Sequence, residues 1–131
     1  MIEQTALVVS KWKYAAPVHQ EVNVAAVTSE TELDVMRKRT ATKKGIACRF
    51  TARFHLEGAA ILEYVGEDSY VIDLTDVIDG KELQTMISNS FTKFKDQFDF
   101  RKLGTVLQNI SLPPFDEKKY DLGPVLLLLE S

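Results

Sequence analysis

Residues 79–115 read DGKELQTMISNSFTKFKDQFDFRKLGTVLQNISLPPF, and this stretch decides the fold. Asp79 is suited to cap a helix, because its carboxylate can accept from backbone N–H groups that the first turn leaves unpaired. Glu82 follows three residues later, completing a capping-box spacing and placing a second acid at the positive end of the helix dipole. Leu83, Met86, Ile87, Ser90, Phe91, Phe94 and Phe98 then recur at intervals of three and four, which puts them on one helical stripe. Lys81, Gln84, Thr85, Asn89, Lys93 and Lys95 fall on the other side. The pattern breaks near Asp96–Asp99, after which Phe100, Leu103, Val106, Leu107 and Ile110 resume a helical period. The break allows one kinked helix or two, and two are expected here, although Gly104 costs the second piece about 1 kcal/mol relative to alanine. Pro113 and Pro114 end it, since neither ring nitrogen can donate to a helix and Pro113 biases Leu112 toward extended geometry.

Upstream of this stretch the chain reads as strand. Thr5 to Tyr14 is rich in β-formers, with Ala6, Val8, Ser10, Trp12 and Tyr14 assigned to one face. Ala15-Ala16-Pro17 closes it. Glu21 to Thr28 gives a second strand, Ser29 to Glu32 a bend or loop, and Leu33 to Thr42 fits either a helical turn or a strand. Lys43-Lys44-Gly45 signals a turn. The strongest strand pattern follows: Ile46, Cys48, Phe50, Ala52, Phe54 and Leu56 alternate with Ala47, Arg49, Thr51, Arg53, His55 and Glu57. Gly58 punctuates, Ala59 to Val65 forms a further strand, Gly66-Glu67-Asp68 a turn or bulge, and Ser69 to Leu74 its continuation. Successive hairpins followed by helices imply an α+β fold: an antiparallel β-sheet of about four long strands, covered on one face by two C-terminal helices. The 131 residues fit a single domain, with Phe50, Phe54, Phe91 and Phe94 assigned to its core. In the remaining residues, Val125 to Leu129 is a five-residue apolar run, suited to a buried strand or a subunit contact.

Composition narrows the function classes. Hydrophobic residues make up 45% and charged residues 27%, which is ordinary for a globular chain. The net charge of −3 argues against a general nucleic-acid binder. No apolar run is long enough for a membrane span, and the N-terminus has no leader pattern. A single cysteine, Cys48, cannot form an internal disulfide, which favours the cytoplasm. Charge is unevenly distributed, with bases and no acid from Arg37 to Arg53, then acids and no base from Glu57 to Asp79. Two solvated strand faces attracting each other would explain this, and so would a docking surface for a charged partner.

No group recommends itself for chemistry. His19 and His55 lack further ligands at metal-like spacing, Cys48 falls on an apolar strand face, and the acids from Glu67 to Asp79 lack calcium-loop spacing. No phosphate loop, nucleophile elbow or zinc-protease motif occurs. The expectation is therefore no catalytic residue, no metal and no cofactor. Seven phenylalanines, four tyrosines and Trp12 remain, pointing to an apolar core and, if some lie outside it, to binding of other polypeptides.

The order of parts resembles the SecB-like family, which comprises export chaperones and relatives linked to toxin–antitoxin modules. Four carriers are similar: Arg49-Phe50-Thr51-Ala52-Arg53-Phe54-His55-Leu56-Glu57-Gly58 with Ala60 to Tyr64; Lys81-Glu82-Leu83; Phe98-Asp99-Phe100-Arg101; and Ser111-Leu112-Pro113-Pro114-Phe115. The resemblance spans Gly45 to Phe115. The chain departs from the pattern at Phe98 to Phe100, where a proline usual in relatives is absent, and in its tail, which lacks a long helix. The resemblance implies a homo-oligomer, dimer or tetramer, that binds unfolded or aggregation-prone polypeptides without ATP in apolar grooves. Trp12, Tyr14, Leu112, Phe115, Tyr120 and Leu122 would line such a groove. The alternatives are an adaptor of the same fold dedicated to one protein partner, and a small-molecule binder or enzyme.

Overall fold

The computed structural model describes residues 2–4, 7–15, 24–39, 41–75, 77–105 and 107–113. The sheet consists of β1 (Ile2–Gln4), β2 (Val8–Tyr14), β3 (Val27–Arg39), β4 (Lys43–Leu56) and β5 (Ala59–Asp73), and one helix, α1 (Gly80–Arg101), follows. All pairings are antiparallel, with β5 beside β4 and β4 beside β3. β1 and β2 lie end to end along the other side of β5, so the sheet is four strands wide with one edge in two pieces. The architecture is α+β, as expected.

Strict alternation in β4 sets the two faces. Ile46, Cys48, Phe50, Ala52 and Phe54 are buried toward the helix, and β5 adds Leu62, Tyr64, Tyr70 and Ile72 on the same side. Leu83, Met86, Ile87, Ser90, Phe91, Phe94 and Phe98, the stripe read from sequence, are the buried residues of α1. Asp79 caps the helix by accepting from the Glu82 N–H at 2.8 Å. The β4–β5 connection is a two-residue turn in which Glu57 (φ 51°) and Gly58 (φ 82°) both adopt left-handed geometry, the form whose twist matches a hairpin.

Several sequence expectations are corrected. The helix runs unbroken through Asp96–Asp99 to Arg101, because Phe94 and Phe98 continue to find ring partners on the sheet. No second helix follows among the described residues; 102–105 and 107–109 are turns, with Gly104 at φ 79° leaving helical geometry. Ser29–Glu32 and Leu33–Arg39 are strand, held by continuous pairing to β4. The Lys43-Lys44-Gly45 turn is instead the start of β4, and Gly66 sits inside β5. Gly66 is small for a packing reason: a Cβ there would meet the Phe94 Cδ1 at 2.7 Å. In β2 the register slips between Val9 and Lys11, so Val8 does not share a face with Trp12 and Tyr14. Val9 packs against the core in its place, and Val8 is 63% exposed. The tail run Val125 to Leu129 lies outside the described residues.

The charge asymmetry has a structural explanation. Lys43 lies directly opposite Asp73, Arg49 opposite Glu67 and Arg53 opposite Glu63 on adjacent strands. Arg49 meets Glu67 at 3.2 Å and Arg53 meets Glu63 at 3.3 Å, while Lys43 bridges Asp73 and Lys11 bridges Glu63. Arg53 also reaches Glu32 at 3.0 Å across to β3. These are cross-strand pairs on the face away from the helix. They favour this register more than they add stability, since exposed pairs are worth roughly 0–1 kcal/mol each.

Candidate functional site

The core between helix and sheet is a column of rings. Tyr64 stacks on Phe94 at 4.2 Å between centroids, Phe54 on Phe98 at 5.3 Å, and Phe50 lies against both Phe91 and Phe94. Polar groups fix the helix over it. The Tyr64 hydroxyl donates to the Phe94 carbonyl at 2.9 Å, and the Tyr70 hydroxyl lies 2.8 Å from the Met86 carbonyl and 2.7 Å from Ser90 Oγ. Ser90 Oγ donates to the buried Asp68 carboxylate at 2.8 Å, and Lys93 Nζ approaches the same oxygen at 3.4 Å. Met86, Ser90 and Phe94 are one turn apart, so three successive turns of α1 are pinned to β5.

Burial holds the thiol and phenols of this interior in their neutral forms. Burial first, and the nearby Asp68 charge second, push the Cys48 thiol up to about 12, against an opposing hydrogen bond from Ser90. Burial pushes Tyr70 up to about 12, and Tyr64 is raised for the same reason. A nucleophilic cysteine needs the opposite setting. Among the described residues no cluster of His, Cys, Asp and Glu could hold a metal ion. A cavity lined by Lys43, Ile46, Ala47, Ser69, Tyr70 and Val71 lies toward the other end of β5 from Tyr64.

The ring column ends differently at the C-terminus of α1. The β2 bulge turns Trp12 toward the helix, where its ring meets Tyr64 edge-on at 5.3 Å and Phe98 at 6.3 Å. The Arg101 guanidinium lies 5.9 Å from the Trp12 ring centre, in cation–π range. Trp12 is half-buried rather than sealed, and Tyr14, opposite Leu62, is partly exposed. Phe100 and Leu103, on either side of Arg101 and Lys102, are 73% and 62% exposed. Trp12 and Tyr14 on the helix-facing side of β2, with Phe100 and Leu103 flanking the Arg101 that reaches Trp12, together form the candidate site.

A known structure shares this fold. The chain aligns with the Mycobacterium tuberculosis SecB-like chaperone Rv1957, solved in complex with a ChAD peptide from the Rv1956 HigA1 antitoxin, at a TM-score of 0.57 and 12% identity. The alignment covers 87% of this chain and 90% of that one. The fold is SecB-like. At this identity the likeness establishes the fold alone. No family profile and no curated protein sequence matches the chain.

Of the residues assigned to a groove from sequence, the SecB-like fold brings Trp12 and Tyr14 to this end. Leu112 is 3% exposed and part of the core cluster. Phe115, Tyr120 and Leu122 lie outside the described residues. Phe50, Phe54, Phe91 and Phe94 are buried, as assigned. Phe100 and Leu103 were missed as surface residues because both were placed on the apolar side of a second helix. The signal was present: Phe98 and Phe100 are two residues apart, and on a continuous helix that spacing puts them on nearly opposite sides.

Proposed function

We propose that this chain is an ATP-independent polypeptide-binding protein, a holdase that engages unfolded or aggregation-prone segments at Trp12, Tyr14, Phe100 and Leu103. The observation that carries this reading is the exposure of Tyr14, Phe100 and Leu103 on a SecB-like fold whose other rings, among the described residues and apart from half-buried Trp12, are buried. Large apolar groups left in water favour partners that offer apolar surface of their own. An unfolded chain offers such groups along its length, whereas a folded one hides them. Binding of this kind needs no catalytic group and no cofactor. The reading includes a cytoplasmic homo-oligomer, dimer or tetramer, and no nucleic-acid partner. Among the described residues no helix is long and apolar enough to cross a membrane.

A second reading has its own support. The SecB-like chaperone with this fold was solved in complex with a peptide from one antitoxin, and by that analogy this chain would serve one dedicated protein partner. Two experiments separate the readings. Light scattering of an aggregating client with a several-fold excess of the protein should show suppression under the first, and its absence defeats that reading. A pull-down yielding one stoichiometric partner, with no affinity for generic unfolded chains, selects the second.

A further inference from the structure

The segment after α1 buries three apolar side chains without joining the helix or the sheet. Leu107, Ile110 and Leu112 are 0%, 9% and 3% exposed and belong to the main core cluster. Among the described residues, the backbone hydrogen bonds of this segment are local. The Thr105 N–H reaches the Lys102 carbonyl, the Gln108 N–H the Thr105 carbonyl, and the Ile110 N–H the Leu107 carbonyl. The polar link back to the helix is Lys102, whose Nζ donates to the Ile110 carbonyl at 2.7 Å. Lys102 is itself positioned by Asp99 at 3.2 Å and by the Phe98 ring, whose centre lies 5.5 Å away, and its side chain is 12% exposed.

A segment tied to the helix, among the described residues, by apolar burial and one cationic hydrogen bond, beside a helix pinned at three turns, belongs to the low-stability end of the molecule. We infer that residues 107–112 are a releasable strap over the aromatic end, and that Lys102 is its latch. Opening uncovers Leu107, Ile110 and Leu112 together with the Phe98 ring face beneath Lys102, which adjoins Trp12. The surface offered to an unfolded polypeptide is then larger than the one exposed in the closed state. This explains how Leu112 joins a binding surface although it is buried in the closed fold. The inference deepens the proposed function and rests on it for the identity of the ligand, but strap opening itself is a property of the chain alone.

Amide hydrogen exchange on the full chain, with Lys102→Met against wild type, tests it. The methionine keeps most of the apolar stem and removes the charge and the donor. Exchange at Leu107, Gln108 and Ile110 should accelerate about tenfold, the equivalent of one hydrogen bond to a charged group, while Phe91 to Phe98 is unchanged. Bis-ANS fluorescence should rise in parallel, an extended apolar peptide should bind several-fold tighter, and Lys102→Arg should restore the slow exchange. Far-UV circular dichroism checks that the helix is retained. Unchanged strap exchange overturns the proposal, and so does acceleration of strap and helix together, which would make Lys102 a contact of global stability. Faster strap exchange and higher dye binding without any peptide binding, in wild type or variant, uphold the strap and defeat the holdase reading instead.

Discussion

The helix α1 and residues 102–113 after it send apolar side chains into the same core, but they are held there by different means. The helix places ring on ring against β4 and β5 and adds hydrogen bonds from Tyr64, Tyr70 and Ser90 along three turns. The following segment inserts Leu107, Ile110 and Leu112 and is tied by Lys102 to the helix end. The molecule should therefore yield first at the segment after the helix. Burial alone fixes a location, whereas directional bonds to a second element also fix a conformation. The exposed Phe100 and Leu103 sit at the boundary between the two regimes.

Paired truncations provide the largest contrast. Phe94 is fully buried, stacks on Tyr64 and passes over Gly66, so Phe94→Ala should cost about 3–5 kcal/mol in denaturant unfolding. Leu107 is equally buried, yet Leu107→Ala should fall at the low end for its type, about 2 kcal/mol, because the segment can open without unfolding the sheet. Equal losses from the two would erase the distinction between helix and strap. Removing one pin sharpens it at smaller scale. Tyr64→Phe keeps the stack and deletes the donor to the Phe94 carbonyl, for an expected loss of about 1 kcal/mol. Exchange at helix amides near Phe94 should accelerate with that change; acceleration confined to 107–112 would show that the pin was misassigned.

The smallest effect concerns the opposite face of the sheet. Asp73 is lowered from 3.8 by the Lys43 hydrogen bond, and Glu63 from 4.5 by Lys11 first and Arg53 in addition. A carboxyl group whose folded value is depressed contributes stability above its unfolded value and loses it as pH falls through the folded one. Urea midpoints should therefore be flat from neutral pH down to about 5 and decline below the ordinary carboxylate range. Lys43→Gln and Lys11→Gln should make that decline shallower. A decline of unchanged slope in both variants would show that the cross-strand pairs do not carry it.

The helix stripe from Leu83 to Phe98 and the alternation of β4 were legible because one periodicity governed each and no competing signal interrupted it. The Asp79 cap was legible for the same local reason. What misled was punctuation whose meaning depends on distant partners. Gly66 looked like a turn, but its missing side chain makes room for Phe94, which is 28 positions downstream by sequence number. Polar Ser29–Glu32 looked like a loop, but Glu30 and Glu32 face Arg53 across the β3–β4 ladder. Charged Asp96–Asp99 looked like a break, but Lys95 pairs with Asp99 along the helix and Phe98 holds the last turns to the sheet. The site was half legible. Trp12 and Tyr14 stood out as aromatics on an early strand, while Phe100 and Leu103 were hidden by the expectation of a second apolar stripe.

The central claim is that exposed Tyr14, Phe100 and Leu103 engage unfolded chains. The direct measurement is client aggregation, followed by light scattering, with wild type and with the triple variant Tyr14→Ser, Phe100→Ser, Leu103→Ser. All three side chains are at least partly exposed, so the variant should keep its fold, each surface change falling within about 0.5 kcal/mol. Wild type should suppress aggregation, and the folded triple variant should lose most of that suppression. Equal suppression by both proteins would contradict the central claim.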